Sequence, residues 1–338
     1  MTPSSSRKGT APFSPAPFSR APFLDLPGKN TFAIGWVASV RDMLTKPMKT
    51  RISLCLLFWL LTSGWVAFAQ STINSTSSFI YSANAGWIDL RASGQVAFGV
   101  RVTESFCSGK AYAANFGWID FGSGLPTNGF AYANNSATDF GVNVGSDGSL
   151  TGYAYAANVG WINFEQLYGF PKINLATGKF TGFIYSANVG WISLDTGFTD
   201  LLTNTIAYPD TDGDGIADAW EMKRFGNLTT ANAISDFDKD GQSDLAEHVA
   251  DTLPKEPTSR LRITSQTYNL GFTQNALQFT TSPSRLYRLE INTNLTGLWT
   301  NSPLGTFSPD AGLSTTRTIN VAAGNSQFFR AVAIRPLQ

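Results

Sequence analysis

The sequence predicts a mainly β chain in three parts: an antiparallel β-hairpin repeat domain, a short helical module built on acidic loops, and a C-terminal β-sandwich. Three observations carry this expectation. A Gly-Trp-Ile motif recurs four times between residues 79 and 194; two acidic segments of matching pattern follow within 210–247; and short strand-like runs separated by turn residues return from Leu261 onward. The composition agrees, because 14% charged residues with abundant Gly, Ser, Thr and Asn suit short strands and tight turns better than long surface helices.

Residues 1–69 read as a leader. They hold eight Lys/Arg against Asp25 and Asp42, a net +6 that leaves −6 on the rest of the 338-residue chain. Lys46, Lys49 and Arg51 precede an apolar run, Ile52 to Ala69, that ends in Ala67-Phe68-Ala69. A basic start, a short apolar stretch and a small-x-small close form a cleavable signal peptide, here 48–69, and the run is shorter than the roughly 20 residues of a transmembrane helix. The expectation is export to the extracellular space or cell surface, with no stable membrane span after processing. Met48 stands where such a peptide would start, so residues 1–47, with Ala-Pro-Phe at 11–13, 16–18 and 21–23, are either a mis-assigned start or a Pro/Ser-rich extension. Cleavage would leave Cys107 as the only cysteine and exclude an internal disulfide. Outside the leader there is no basic patch, so nucleic acid is not an expected partner.

The repeat domain is assigned to 70–205. Tyr81–Ile88, Tyr112–Ile119, Tyr155–Ile162 and Tyr185–Ile192 align without gaps as Tyr-[Ser/Ala]-Ala-Asn-x-Gly-Trp-Ile, and a fifth copy at Tyr132-Ala-Asn has lost the Gly-Trp-Ile ending. Each unit reads as a hairpin: an aromatic strand enters, Asn and Gly supply the turn, and Trp-Ile-x-Leu/Phe leaves. Phe98-Gly-Val, Phe140-Gly-Val and, more loosely, Tyr168-Gly-Phe read as upstream strands. A lone hairpin is marginal, so the units are expected to pair into a continuous sheet or solenoid-like stack. Strand alternation puts Ile88, Leu90, Ile119, Phe121, Ile162, Phe164, Ile192 and Leu194 on one face, the expected core. The other face carries Trp87, Trp118, Trp161 and Trp191 beside Asp89, Asp120, Asn163 and Ser193. These Trp residues either pack on the repeated Tyr residues or stack on an extracellular glycan. The motif resembles Gly-Trp-Ile repeats of secreted bacterial proteins, a resemblance that implies no mechanism.

Residues 206–256 hold the acidic loops. Asp210–Glu221 and Asp236–Glu247 both follow the twelve-position EF-hand spacing. Asp210, Asp212 and Asp214 occupy positions 1, 3 and 5, with the Ile216 carbonyl at 7, Asp218 at 9 and a bidentate Glu221 at 12. Asp236, Asp238, Asp240, the Gln242 carbonyl, Asp244 and Glu247 repeat the set, and Gly215 and Gly241 make the turns. Such oxygen-rich shells suit Ca²⁺ over Mg²⁺, and two ions are expected, one per loop. Helices are expected to leave the loops near 217–225 and 244–252, whereas Pro209 and the residues before it offer no entering helix. The loop-then-helix pair resembles dockerin modules and thrombospondin type-3-like repeats; the resemblance implies calcium binding and, for dockerins, a protein partner. The loops begin 26 residues apart and lack the thrombospondin cysteines.

Residues 257–338 predict strands at 261–263, 277–280, 286–291, 316–321 and 328–334, a small fibronectin-like sandwich. Tyr287–Glu290 and Phe328–Val332 resemble terminal domains of exported multidomain bacterial proteins. No catalytic residue is assigned. His248, the lone histidine, reads as a surface helical residue, Cys107 has no histidine near it in sequence, and only a pair such as Asp89 and Asp120 suggests glycosidase chemistry. The expected function is that of a secreted, calcium-binding structural or adhesive protein, with a carbohydrate-binding protein as the alternative and a cell-surface protein or glycan as partner.

Overall fold

Four copies of the repeat fold as hairpins, and the hairpins close on one another. The computed structural model describes residues 70–197, 200–271, 273–321 and 327–338; the leader and its signal peptide lie outside the described residues. β1 (Phe79–Ser82) pairs with β2 (Gly86–Asp89) as the first hairpin. After the two-residue ladder of β3 (Arg101–Val102) and β4 (Cys107–Ser108), β5 (Lys110–Ala113) and β6 (Gly117–Asp120) form the second. β7 (Val142–Val144) leads into β8 (Leu150–Ala156), which pairs with β9 (Gly160–Asn163) as the third. A second short ladder, β10 (Lys172–Ile173) with β11 (Phe180–Thr181), precedes the fourth, β12 (Phe183–Ser186) with β13 (Gly190–Ser193).

Between hairpins, β2 pairs with β5, β6 with β8 and β9 with β12, and β13 returns to β1 through Tyr81↔Ser193 and Ser82↔Ile192. The expected continuous sheet is therefore a closed eight-stranded antiparallel barrel and not a solenoid. Closure satisfies the edge hydrogen bonds that a linear stack would leave open.

The motif explains why the barrel closes at this width. Ser82, Ala113, Ala156 and Ser186, the second residue of each motif, point inward, and each opposes an isoleucine of the adjoining hairpin: Ile192, Ile88, Ile119 and Ile162. Small faces large at every seam, the alternation that fits the interior of a narrow barrel. All eight residues expected on the core face are buried. Full burial of each isoleucine contributes about 1.5–3 kcal/mol.

The turn asparagines close a second ring. Asn115 Nδ2 donates to Ala85 O at 2.9 Å, Asn158 to Phe116 O at 3.0 Å, Asn188 to Val159 O at 2.7 Å and Asn84 to Val189 O at 3.1 Å. Each turn is thus stapled to the preceding hairpin around the whole circumference. The glycine that follows sits at positive φ in all four turns; at Gly117 (φ +90°) no atom lies within 4 Å of a built Cβ, so backbone conformation and not space selects glycine there.

The fifth copy forms no hairpin. Without Gly-Trp-Ile there is no exit strand, and Tyr132 is instead a buried anchor whose hydroxyl donates to Cys107 O at 3.2 Å and accepts from Gly124 N at 2.7 Å. Of the three upstream segments expected as strands, only Phe140-Gly-Val reaches one, since Val142 opens β7. All three nevertheless support the next hairpin, as Lys110 N donates to Phe98 O, Tyr153 N to Gly141 O and Phe183 N to Gly169 O.

The acidic module contributes two helices, α1 (Asp218–Arg224) and α2 (Asp244–Ala250), each leaving a loop as expected. Its own core is small: Ile216, Trp220 and Ala231, with Phe225 and Leu245 against them. The C-terminal part has two three-stranded sheets. β15 (Gln274–Thr280) lies between β14 (Ile263–Tyr268) and β18 (Ser314–Asn320), and β16 (Leu286–Asn292) lies between β17 (Thr300–Asn301) and β19 (Phe328–Ile334). Leu277, Phe279 and Ile319 of one sheet pack on Tyr287, Leu289 and Ala333 of the other, and Ala250 of α2 joins the same core. Among the described residues no helix is long and apolar enough to cross a membrane.

Candidate metal centre

Both acidic loops fold around their own carboxylates. In the first, Asp210 accepts from Gly213 N at 2.7 Å and Gly215 N at 2.9 Å, and Asp214 accepts from Ile216 N at 2.8 Å. In the second, Asp236 accepts from Gly241 N at 3.0 Å, Asp238 from Asp240 N at 3.1 Å and Asp240 from Gln242 N at 2.8 Å. These bonds use both oxygens of Asp210 but only one oxygen each of Asp214, Asp236, Asp238 and Asp240, whose second oxygen has no hydrogen-bond partner. Asp210, Asp212 and Asp214 bring one oxygen each within 4.8 Å of one another, as do Asp236, Asp238 and Asp240, so each triad can hold a metal ion.

The remaining oxygens test that fit. Both carboxylate oxygens of Glu221 are buried without a hydrogen-bond partner, as are Asp214 Oδ2, Asp236 Oδ1, Asp238 Oδ2, Asp240 Oδ2 and Glu247 Oε2. Buried, unpaired carboxylate oxygens are costly, and a cation at the centre of each loop would satisfy them together. Glu221, at position 12, offers the two free oxygens a bidentate ligand needs, whereas Glu247 Oε1 also accepts from Thr252 Oγ1 at 3.1 Å. Burial, with repulsion from Asp214, Asp212, Asp218 and Asp210, pushes Glu221 up to about 8. Burial also raises Glu247 to about 7, against the Thr252 hydrogen bond and with Asp238, Asp240 and Asp244 repelling it.

The position-9 residues are occupied differently. Asp218 accepts from Thr211 N at 2.7 Å and from Thr211 Oγ1 at 2.6 Å, and Asp244 accepts from Ser235 Oγ and from Phe237 N at 3.3 Å. Both brace the start of their loop; Ile216 and Gln242 sit at position 7, where the backbone carbonyl and not the side chain is the donor atom.

His248 corrects the sequence reading. It is fully buried, not a surface residue, with its ring 5.5 Å from Trp220 in an edge-on contact. Burial first, then Arg285, holds it down at about 3, so it is neutral at physiological pH. Glu104, on the turn between β3 and β4, stands 3.9 Å from His248 and is itself pushed by burial up to about 7. Helical periodicity in a seven-residue helix could not reveal this, because what buries His248 is the packing of the barrel and the C-terminal sheets on α2.

The end of α2 is gripped by the C-terminal part. Arg285 donates to the His248 and Val249 carbonyls at 2.7 and 2.9 Å, and Asp251, which ends the helix in the left-handed conformation, accepts from Ser282 and Ser284. Arg224 of α1 pairs with the same Asp251 at 3.2 Å. One short helix therefore carries Asp244 and Glu247 at the loop and its junction contacts one turn later. Nothing in the local sequence marks Arg285, Ser282 or Ser284 for this role.

The repeat tryptophans face outward. Trp87, Trp118, Trp161 and Trp191 are 47, 41, 37 and 46% exposed, and each contacts the Tyr of its own hairpin at centroid distances of 5.0, 5.1, 4.9 and 5.1 Å. Both uses foreseen for them are thus compatible, since one edge packs on Tyr while ring surface stays open. Asp89 accepts from Arg91 N and Ser93 N, and Asp120 accepts from Gly122 N and lies 3.7 Å from Lys110, so both carboxylates hold turns. Cys107 is buried in the barrel core, which pushes its thiol up to about 12.

No family model, curated protein or solved structure matches this chain.

Proposed function

We propose that this chain is an exported, calcium-binding structural or adhesive protein in which two calcium ions rigidify the junction between the barrel and the C-terminal β-sandwich. The observation that carries the reading is the set of buried, unpartnered carboxylate oxygens in both twelve-residue loops, above all those of Glu221. Calcium suits them because hard oxygen ligands, a flexible shell and a bidentate position-12 glutamate are what it accepts, while magnesium demands a tight octahedron with retained water. The ion in the second loop would fix Asp244 and Glu247 at one end of α2, and Arg285 and Asp251 would pass that rigidity to the sandwich. Export rests on the leader sequence. Calorimetric titration tests the reading: two calcium ions per chain, lost in the Glu221→Gln, Glu247→Gln double variant, support it, and no binding at millimolar calcium overturns it.

A second reading, an extracellular carbohydrate-binding protein, is favoured by one observation: the four outward tryptophans keep open ring surface around the barrel. Aromatic faces beside polar groups such as Asn163 suit sugar rings. Glycan-array binding that Trp118→Ala and Trp161→Ala abolish, with the fold retained, would support it; an array without a hit would remove it.

A further inference from the structure

The ladder of β3 and β4 has two faces. Val102 and Cys107 enter the barrel core, so their neighbours Arg101 and Ser108, paired across the ladder, face the other way. On that side lies a recess of about 300 Å³, walled by Ser123, Gly124, Leu125 and Pro209 as well as by Arg101 and Ser108. No carboxylate lines it.

Arg101 is half-buried there without an acceptor. Burial alone draws its guanidinium below the ordinary value, with no charged or hydrogen-bonding neighbour acting on it. Several other arginines among the described residues have an acceptor: Arg91 donates to Ile73 O, Arg224 pairs with Asp251, Arg317 with Asp310, and Arg288 and Arg330 share Glu290. None of its five donors is bonded to the protein and none of its nitrogens is closed off from solvent, so they face the recess free to take a ligand acceptor. The residues beyond the leader carry net −6, so an anion held here would be held by this local guanidinium and not by the overall charge of the chain.

We propose that this recess is a binding site for a single oxyanion group, a carboxylate or a phosphate or sulfate ester, held by the Arg101 guanidinium with the Ser108 hydroxyl as a further donor. The planar fork of arginine matches two oxygens of one anion, which supplies both charge and geometry. The volume admits a group of monosaccharide size or smaller, at the low end of small-molecule pockets. The site shares no proposed calcium ligand with the acidic loops, although Pro209 in its wall directly precedes Asp210, and it lies apart from the four repeat tryptophans.

The test is calorimetric titration of the full chain at saturating calcium with glucuronate, acetate, methyl phosphate and methyl sulfate, and with glucose as the uncharged control. At least one anion is expected to bind one-to-one while glucose does not; preference for glucuronate and acetate identifies a carboxylate, and preference for methyl phosphate or methyl sulfate identifies an ester. Arg101→Gln is expected to weaken binding about tenfold or more, the scale of a lost charge-assisted pair. Arg101→Lys, which keeps the charge and loses the fork, should fall between, and retained calcium stoichiometry shows that either variant is folded. Binding unchanged in both variants means an adventitious ion only. That result, or no binding of any of the four anions at millimolar concentration, overturns the proposal.

Discussion

The barrel and the acidic module solve the same problem, holding a small structure together, by opposite means. The barrel has a core of 28 buried residues, its eight closing strands each paired on both sides, and seam contacts that set small against large. The module's own apolar cluster has three buried residues, beside an interior lined with carboxylates that repel one another. The first is complete in apolar contacts and hydrogen bonds. The second leaves carboxylate oxygens unpaired that a metal ion can satisfy, so on the calcium reading proposed above its stability is conditional on what surrounds the protein.

Chelation should separate the two most sharply. At calcium a hundred times its Kd, each site contributes about 2.7 kcal/mol. Removing calcium, or combining Glu221→Gln with Glu247→Gln, should therefore abolish amide-exchange protection across 210–251 while β1–β13 keep theirs. Equal loss in both regions would show that the barrel depends on the module.

The converse experiment is Ile162→Ala, expected to destabilise the barrel by about 2–5 kcal/mol. The loss should be the same with calcium or chelator, read as the shift in the denaturation midpoint. Ala156→Leu probes the same seam from the other side, where overpacking costs about 1–3 kcal/mol. Gly117→Ala should cost about 1–2 kcal/mol through its left-handed backbone alone, because nothing crowds the added methyl.

Glu104 sharpens the comparison at the junction. Its carboxyl is raised from the usual 4.5 to about 7 chiefly by burial, so the folded protein holds this proton more tightly than the unfolded chain. The stability it contributes is fully present below pH 4.5 and is lost as pH rises through about 7. At saturating calcium, the melting temperature should fall across that window in the native protein and fall less in Glu104→Gln. Identical pH profiles would remove Glu104 as the cause. The smallest effect is expected of Trp118→Ala, about 0.5–1.5 kcal/mol from the ring pair with Tyr112, because the tryptophan ring is already part-exposed.

Much of this was legible in the sequence. The hairpins, their inward isoleucines and outward tryptophans follow from a period-two pattern that is local to each repeat, and the two acidic loops follow from a spacing fixed by the geometry of one turn. The sequence by itself determined these because each depends on residues within a dozen positions of one another. Closure of the sheet was decided only by the tertiary structure, since Tyr81↔Ser193 joins the first hairpin to the last and a linear stack satisfies the same local pattern. The burial of His248 and the grip of Arg285 on α2 were decided there too, as were the orphaned guanidinium of Arg101 and the open faces of the tryptophans. Each rests on which distant surface covers a side chain, and burial, unlike alternation, is a property of the neighbours that packing brings.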